Sequence, residues 1–212
     1  MVDAAWQKAC ESYLQELSSR PKMLTCAACA GWNDFHLELA ELLWDQRSTI
    51  SPQEARRVIY VSNVSLGLLA VYSPEQRLVQ LRVVSPTLRH SGGLDMNPRI
   101  MPASAKLLEG AAAQGFQTFP FALLMWHYGQ TSALALSHMP SLHDKRLFLR
   151  RFPALAPNVL HLRHLRLMHA LSREPARLED IRAMLLPEDR PLICPDLTSL
   201  YFTGALQIKS PA

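Results

Sequence analysis

Apolar residues recur at helical spacing from the start of the chain. Trp6, Cys10, Tyr13 and Leu17 share one face, with Gln7, Glu11 and Gln15 elsewhere, which predicts a helix over 4–18 ended by Pro21. Met23 to Ala30 is a short run of small and apolar residues, the pattern of a buried strand. Asn33 or Asp34 then caps a helix to about Gln46, whose stripe is Phe35, Leu39, Leu42 and Leu43. Ser51-Pro52-Gln53-Glu54 is a further helix start, with a capping serine and proline at the first position. A β-rich stretch begins at about Val58. Three runs, 58–62, 66–72 and 78–84, are separated by Asn63-Val64-Ser65 and by Ser73-Pro74-Glu75-Gln76. In the last run Val79, Leu81 and Val83 alternate with Gln80 and Arg82, so the three predict an antiparallel meander.

Residues 86–102 are polar and broken by Gly92, Gly93 and Pro98, and read as a linker or mobile loop. Beyond it the spacing is helical throughout. Helices are expected over 104–114, over 119–137 and from a Ser141 cap to Arg151, with Pro153 and Pro157 as stops. From Asn158 a longer helix carries Val159, Leu162, Leu165, Leu167, Met168 and Leu171 as its expected buried side. A second helix, 176–185, turns Leu178, Ile181 and Leu185 inward. A third, 196–203, is stopped by Gly204, and Leu206 to Lys209 can begin a strand.

The chain is thus expected to be α+β. Residues 1–100 form a helix-plus-meander domain, and residues 101–212 form a mostly helical region. The element order of the first resembles that of profilin-like and roadblock-type domains. The segment 158–209 resembles the winged helix-turn-helix superfamily, of the MarR and ArsR kind. The likeness rests on a leucine-spaced third helix ending in glycine and an apolar pair: Leu197, Leu200, Gly204, Ala205 and Leu206. The resemblance covers about a quarter of the chain and implies a module that reads DNA or docks on protein. Two departures bear on the choice. The third helix, 195–203, contains no Arg, Lys, Asn or Gln, the groups that reach base edges and phosphates. Asp196 at its start repels phosphate, and a full two-stranded wing is not expected after Leu206 to Lys209.

Composition adjusts this picture only modestly. Of 212 residues 49% are hydrophobic and 19% charged, which excludes a disordered chain. The net charge of +4 permits a polyanionic partner without demanding one. The longest apolar run, 119–136, is interrupted by Pro120, His127, Gln130 and Thr131 and fits a buried helix better than a membrane span. With no export signal, a cytoplasmic protein with reduced Cys10, Cys26, Cys29 and Cys194 is expected.

The remaining motifs point to little chemistry. Cys26-Ala27-Ala28-Cys29 lacks the second pair that a zinc site needs, and a turn rather than a helix follows it. His161, His164 and His169, with Arg163 and Arg166, read as a basic helix face rather than a ligand set. Arg56-Arg57 and Asn63-Val64-Ser65-Leu66-Gly67 resemble the PilZ domains that bind cyclic di-GMP. Here the arginines sit too near the second motif, and Leu68 stands where that family has glycine. No nucleophile elbow, phosphate loop, dinucleotide fingerprint or zinc-protease motif occurs. No catalytic residue, metal site or cofactor is therefore expected.

The leading expectation is a regulatory or adaptor protein that works through protein contacts of its C-terminal module. The alternatives are a DNA-binding transcriptional regulator with an N-terminal sensing or dimerisation domain, and a PilZ-like cyclic-dinucleotide sensor. A homodimer is compatible with each. The candidate partner- or DNA-contacting residues are Arg163, Arg166, Arg190, Thr198, Ser199, Tyr201, Phe202 and Lys209.

Overall fold

The computed structural model describes residues 32, 34–49, 57–63, 67–82, 96–102 and 115–210. The helices expected over 4–18, after Ser51 and over 104–114, the strand expected over 23–30 and the Cys26–Cys29 pair all lie outside the described residues. The protein is a mixture of helix and antiparallel sheet. Two compact units are present; among the described residues one ends at Leu124 and the other begins at Met125.

The first unit is built on a five-stranded antiparallel sheet. Its strands are β1 (Arg57–Asn63), β2 (Gly67–Ser73), β3 (Leu78–Leu81), β4 (Met96–Pro102) and β5 (Gln117–Pro120), in the order β4-β1-β2-β3-β5. The meander β1-β2-β3 follows the alternating runs of the sequence. Ile59 faces Tyr72 across β1 and β2, and Ala70 faces Leu81 across β2 and β3. The other two strands come from segments whose patterns suggested something else. Residues 96–102, expected within a loop, form an edge strand along β1, with Ile59 opposite Ile100. Residues 117–120 extend the sheet beyond the domain boundary expected at residue 100, with Val79 opposite Phe119.

Val58 to Val61 are buried at every position, so β1 is covered on both faces. One face holds Val58, Tyr60, Val71 and Phe116. Helix α1 (Asp34–Thr49) contacts β1 and β4 and buries Phe35, Leu39, Ala40 and Leu43, the stripe expected of it apart from the half-buried Leu42. Trp32 stacks on His36 and meets the edge of Phe119.

The second unit is mainly helical. The helix expected over 119–137 is in fact a strand followed by two helices, α2 (Phe121–Thr131) and α3 (Ala133–Ser137). Ser132 divides them, with an extended backbone and an Oγ that accepts from the Ala135 N–H at 3.4 Å. The expected helix over 141–151 is replaced by strand β6 (Arg146–Leu149). Its residues pair with β7 (Leu206–Lys209), Leu147 lying opposite Ile208. Asp144 has φ +56°, which breaks a right-handed helix just upstream, and pairing with a distant strand then overrides the local apolar spacing.

Helices α4 (Leu162–Arg173), α5 (Leu178–Met184) and α6 (Ile193–Phe202) follow, with 3-10 turns at Pro157–Val159 and Arg190–Leu192. Between α4 and α5, Ala176 exchanges both backbone hydrogen bonds with Leu147, at 2.8 and 3.0 Å, and so adds a bridge beside β6. Gly204, at φ +70°, stops α6: its N–H donates to the Tyr201 carbonyl, and the Ala205 N–H to that of Leu200. No helix among the described residues is long and apolar enough to cross a membrane.

Candidate functional site

Helix α4 has more apolar positions than one face can bury, and it divides them. His164, Leu167, Met168 and Leu171 point inward and are buried. Leu162 and Leu165, expected on that same face, instead stand 62% and 44% exposed. They begin a second stripe, continued by Arg166, His169, Ala170 and Arg173 at spacings of three, four, seven, eight and eleven residues. Across from this stripe the end of α5 supplies Met184, Leu185 and Leu186, and together they line a groove of about 580 Å³. The buried Ala170 and Leu185 form its floor, while Met184 and Leu186 are exposed beside it.

Two arginines and a histidine form the polar part of the groove. Its lining includes Arg166, His169 and Arg173 and no carboxylate. Arg166 is held in place by Asp189, whose Oδ2 accepts from Nη1 at 2.9 Å. Arg173 lies in the last turn of α4, where a cation meets the negative end of the helix dipole.

On the inner side of α4 lies a buried ionic cluster centred on Asp196, in the first turn of α6. Its Oδ2 accepts from Arg163 Nε at 3.1 Å, and its Oδ1 accepts from Gln130 Nε2 at 2.9 Å. His164 Nε2 is 3.1 Å from Oδ1, while its Nδ1 accepts the backbone N–H of His161 at 3.0 Å. With Nδ1 engaged as an acceptor, Nε2 is the ring nitrogen that lies beside the carboxylate. Gln130 also donates to Ser199 Oγ, which donates in turn to the Trp126 carbonyl. Burial alone pushes the Asp196 carboxyl up, but His164, Arg163 and Gln130 together outweigh it and hold the group below the ordinary carboxylate value. Gly129 lets α2 approach α6 closely: a Cβ there would lie 2.6 Å from the Ser199 Cα.

The residues singled out from the sequence are not brought together as one surface. Thr198, Ser199 and Phe202 are buried, and each is engaged inside the unit. Thr198 Oγ1 donates to the Cys194 carbonyl, and Phe202 meets the edge of Tyr128 at 5.1 Å. Arg163 is committed to Asp196, so Asp196 is a buried partner rather than an exposed charge facing phosphate. Arg190 Nε donates to the Leu185 carbonyl at the end of α5. Tyr201 is half-buried. Lys209 is exposed, with Nζ 4.5 Å above the Phe148 ring. Of the eight, only Arg166 lines the groove. Leu162, Leu165, Arg173 and Met184 were missed, although a second stripe on α4 was there to be counted. Among the described residues no group of three His, Cys, Asp or Glu side chains is placed to hold a metal ion.

Comparison of the chain with known protein families, with curated proteins and with solved structures returns no match.

Proposed function

We propose that this is a non-enzymatic regulatory or adaptor protein that acts through protein contacts of its C-terminal unit, with the α4–α5 groove as the contact surface. One observation carries the reading. Among the described residues six large apolar side chains stand exposed, and four of them, Leu162, Leu165, Met184 and Leu186, line this single groove. Scattered exposed leucines need no explanation, but a concentration of them in a concave surface marks a binding site. The winged-helix-like reading of the module is supported by three helices leading into β7 and by the Ala176 bridge between the first two. In that reading the third helix serves as core, since its Thr198, Ser199 and Phe202 are buried, and docking falls to the first two.

The test is differential capture from the cell of origin. Wild type, Leu165→Asp in the groove and Leu134→Asp, an exposed leucine outside it, are used as baits. The groove variant is expected to lose partners that the control retains. Identical capture by all three baits overturns the reading.

A second reading, contact with DNA, is favoured by a different surface. Arg146 and Lys209 are exposed and directly opposed across β6 and β7, with Lys145, Arg150 and Arg151 flanking them. Opposed like charges weaken a strand pair, and an anion bound between them would relieve the repulsion. Retardation of a random duplex at low salt, lost in Arg146→Glu, is the result this reading requires.

A further inference from the structure

We infer that the occupant of the α4–α5 groove is an acidic amphipathic helix of a protein partner, its apolar stripe seated on Leu162, Leu165 and Met184 and its carboxylates facing Arg166, His169 and Arg173. The inference rests on the adaptor reading and deepens it by naming the chemistry of the partner.

Shape is the first argument. The outer stripe of α4 runs straight from Leu162 to Arg173, about 16 Å at the rise of an α-helix. That is about three turns, and a helix laid in such a groove presents anchors at positions i, i+3, i+4 and i+7. Charge is the second. The apolar floor is flanked by two arginines and a histidine, with no carboxylate in the lining. Arg173 makes no ion pair among the described residues, and Arg166 is oriented by Asp189 while keeping part of its surface in solvent. A partner helix carrying Glu or Asp beside its apolar stripe meets both requirements at once.

Other occupants fit less well. A second copy docked by the same groove on a twofold axis would offer Arg173 no carboxylate, because neither lining carries one. Nucleic acid would match the arginines but leave the leucine wall against phosphate and water.

The test is fluorescence anisotropy with the full chain and three labelled helical peptides of about 15 residues. All three carry the same Leu/Phe stripe, and their polar faces are Glu-rich, Gln-rich or Lys-rich. At low salt the Glu peptide is expected to bind about tenfold more tightly than the Gln peptide, from two exposed charge pairs, and the Lys peptide most weakly. The gap should close at high salt. Arg173→Glu should reduce or invert the Glu-over-Lys preference, and Leu165→Asp should remove binding of all three with an unchanged thermal melt.

Equal affinities for the three peptides overturn the acidic preference, and binding that survives Leu165→Asp overturns the seat. Binding of none overturns the proposal. A dimer in sedimentation that Leu165→Asp dissolves also overturns it, in favour of a second copy. None of these results depends on the capture experiment above, so the adaptor reading stands or falls separately.

Discussion

Arg163 Nε stands 3.1 Å from Asp196 Oδ2, with both side chains largely withdrawn from solvent. The pair ties α4 to α6, and Gln130 joins α2 to it by donating to Asp196 and accepting from Arg163 Nη2 at 3.3 Å. Removing one partner from such a pair leaves a buried charge without compensation, which costs about 3–5 kcal/mol. Asp196→Ala is therefore expected to lose about that much stability in urea denaturation. Asp196→Leu, which fills the space but still strands Arg163, should be no better. The double change Arg163→Met with Asp196→Leu should recover part of the loss. A loss below about 1 kcal/mol for Asp196→Ala would mean that water replaces the carboxylate and that the cluster is not sealed.

The same carboxylate gives the unit an acid-sensitive stability. Asp196 is held below its ordinary value of 3.8 in the folded protein. As pH falls, the unfolded chain takes up a proton that the folded chain still refuses. This contribution is present above the ordinary carboxylate value and disappears as pH falls through the folded value. Urea midpoints measured from about pH 6 down to pH 3 should decline in wild type and decline less in Asp196→Asn. Parallel declines would assign the acid sensitivity to other carboxylates.

Gly129→Ala should be among the most damaging small changes in the second unit. The added methyl meets the backbone of Ser199, with N and Cα both at 2.6 Å, and backbone cannot rotate aside. Overpacking costs about 1–3 kcal/mol, and contact with backbone puts this case at the upper end. Circular dichroism melts will show it as a lowered Tm. An unchanged melt would mean that α2 and α6 separate freely and that the Gln130 contacts are weak.

The two faces of α4 predict opposite behaviour for neighbouring leucines. Leu167 is buried, and Leu167→Ala should cost about 2–5 kcal/mol. Leu165 belongs to the groove, and Leu165→Ala should change stability by about 0.5 kcal/mol or less while weakening partner capture. Equal destabilisation by both would place Leu165 in the core and remove one wall of the groove.

Much of the sheet was legible because its central strands are apolar runs bounded by turn residues, one of them alternating. In the third run Val79, Leu81 and Val83 alternate with Gln80 and Arg82, and β1 and β2 are short apolar runs bounded by turn residues. Strands β4 and β6 were not legible for a shared reason. Met96 to Pro102 contains two prolines at an edge, and Arg146 to Leu149 is four residues long. Each is a strand because of a partner far away in sequence, β1 for one and β7 for the other. The site was obscured by a related ambiguity. Leu162, Leu165, Leu167 and Met168 all fit a helical apolar pattern, and one stripe was drawn through what are two faces about a third of a turn apart or more. Thr198, Ser199 and Phe202 were placed on a surface because the third helix of a winged-helix module is ordinarily the reading helix. Here Gly129 and the Asp196 cluster draw that helix inward.

The pairing of β6 with β7 sets an order on assembly. Arg146 and Lys209 are opposed in the ribbon yet stand more than sixty positions apart, with α4, α5 and α6 between them. The three helices can form locally within microseconds, but the ribbon must wait for a long loop to close. On the ribosome β6 emerges several seconds before β7, at ordinary elongation rates of about 5–20 residues per second. During that interval Leu147 and Phe148 have no β7 to pair with. The nascent chain thus presents an unsatisfied apolar edge for a time set by translation, and slowing synthesis between residues 150 and 206 would lengthen its exposure to chaperones and to aggregation.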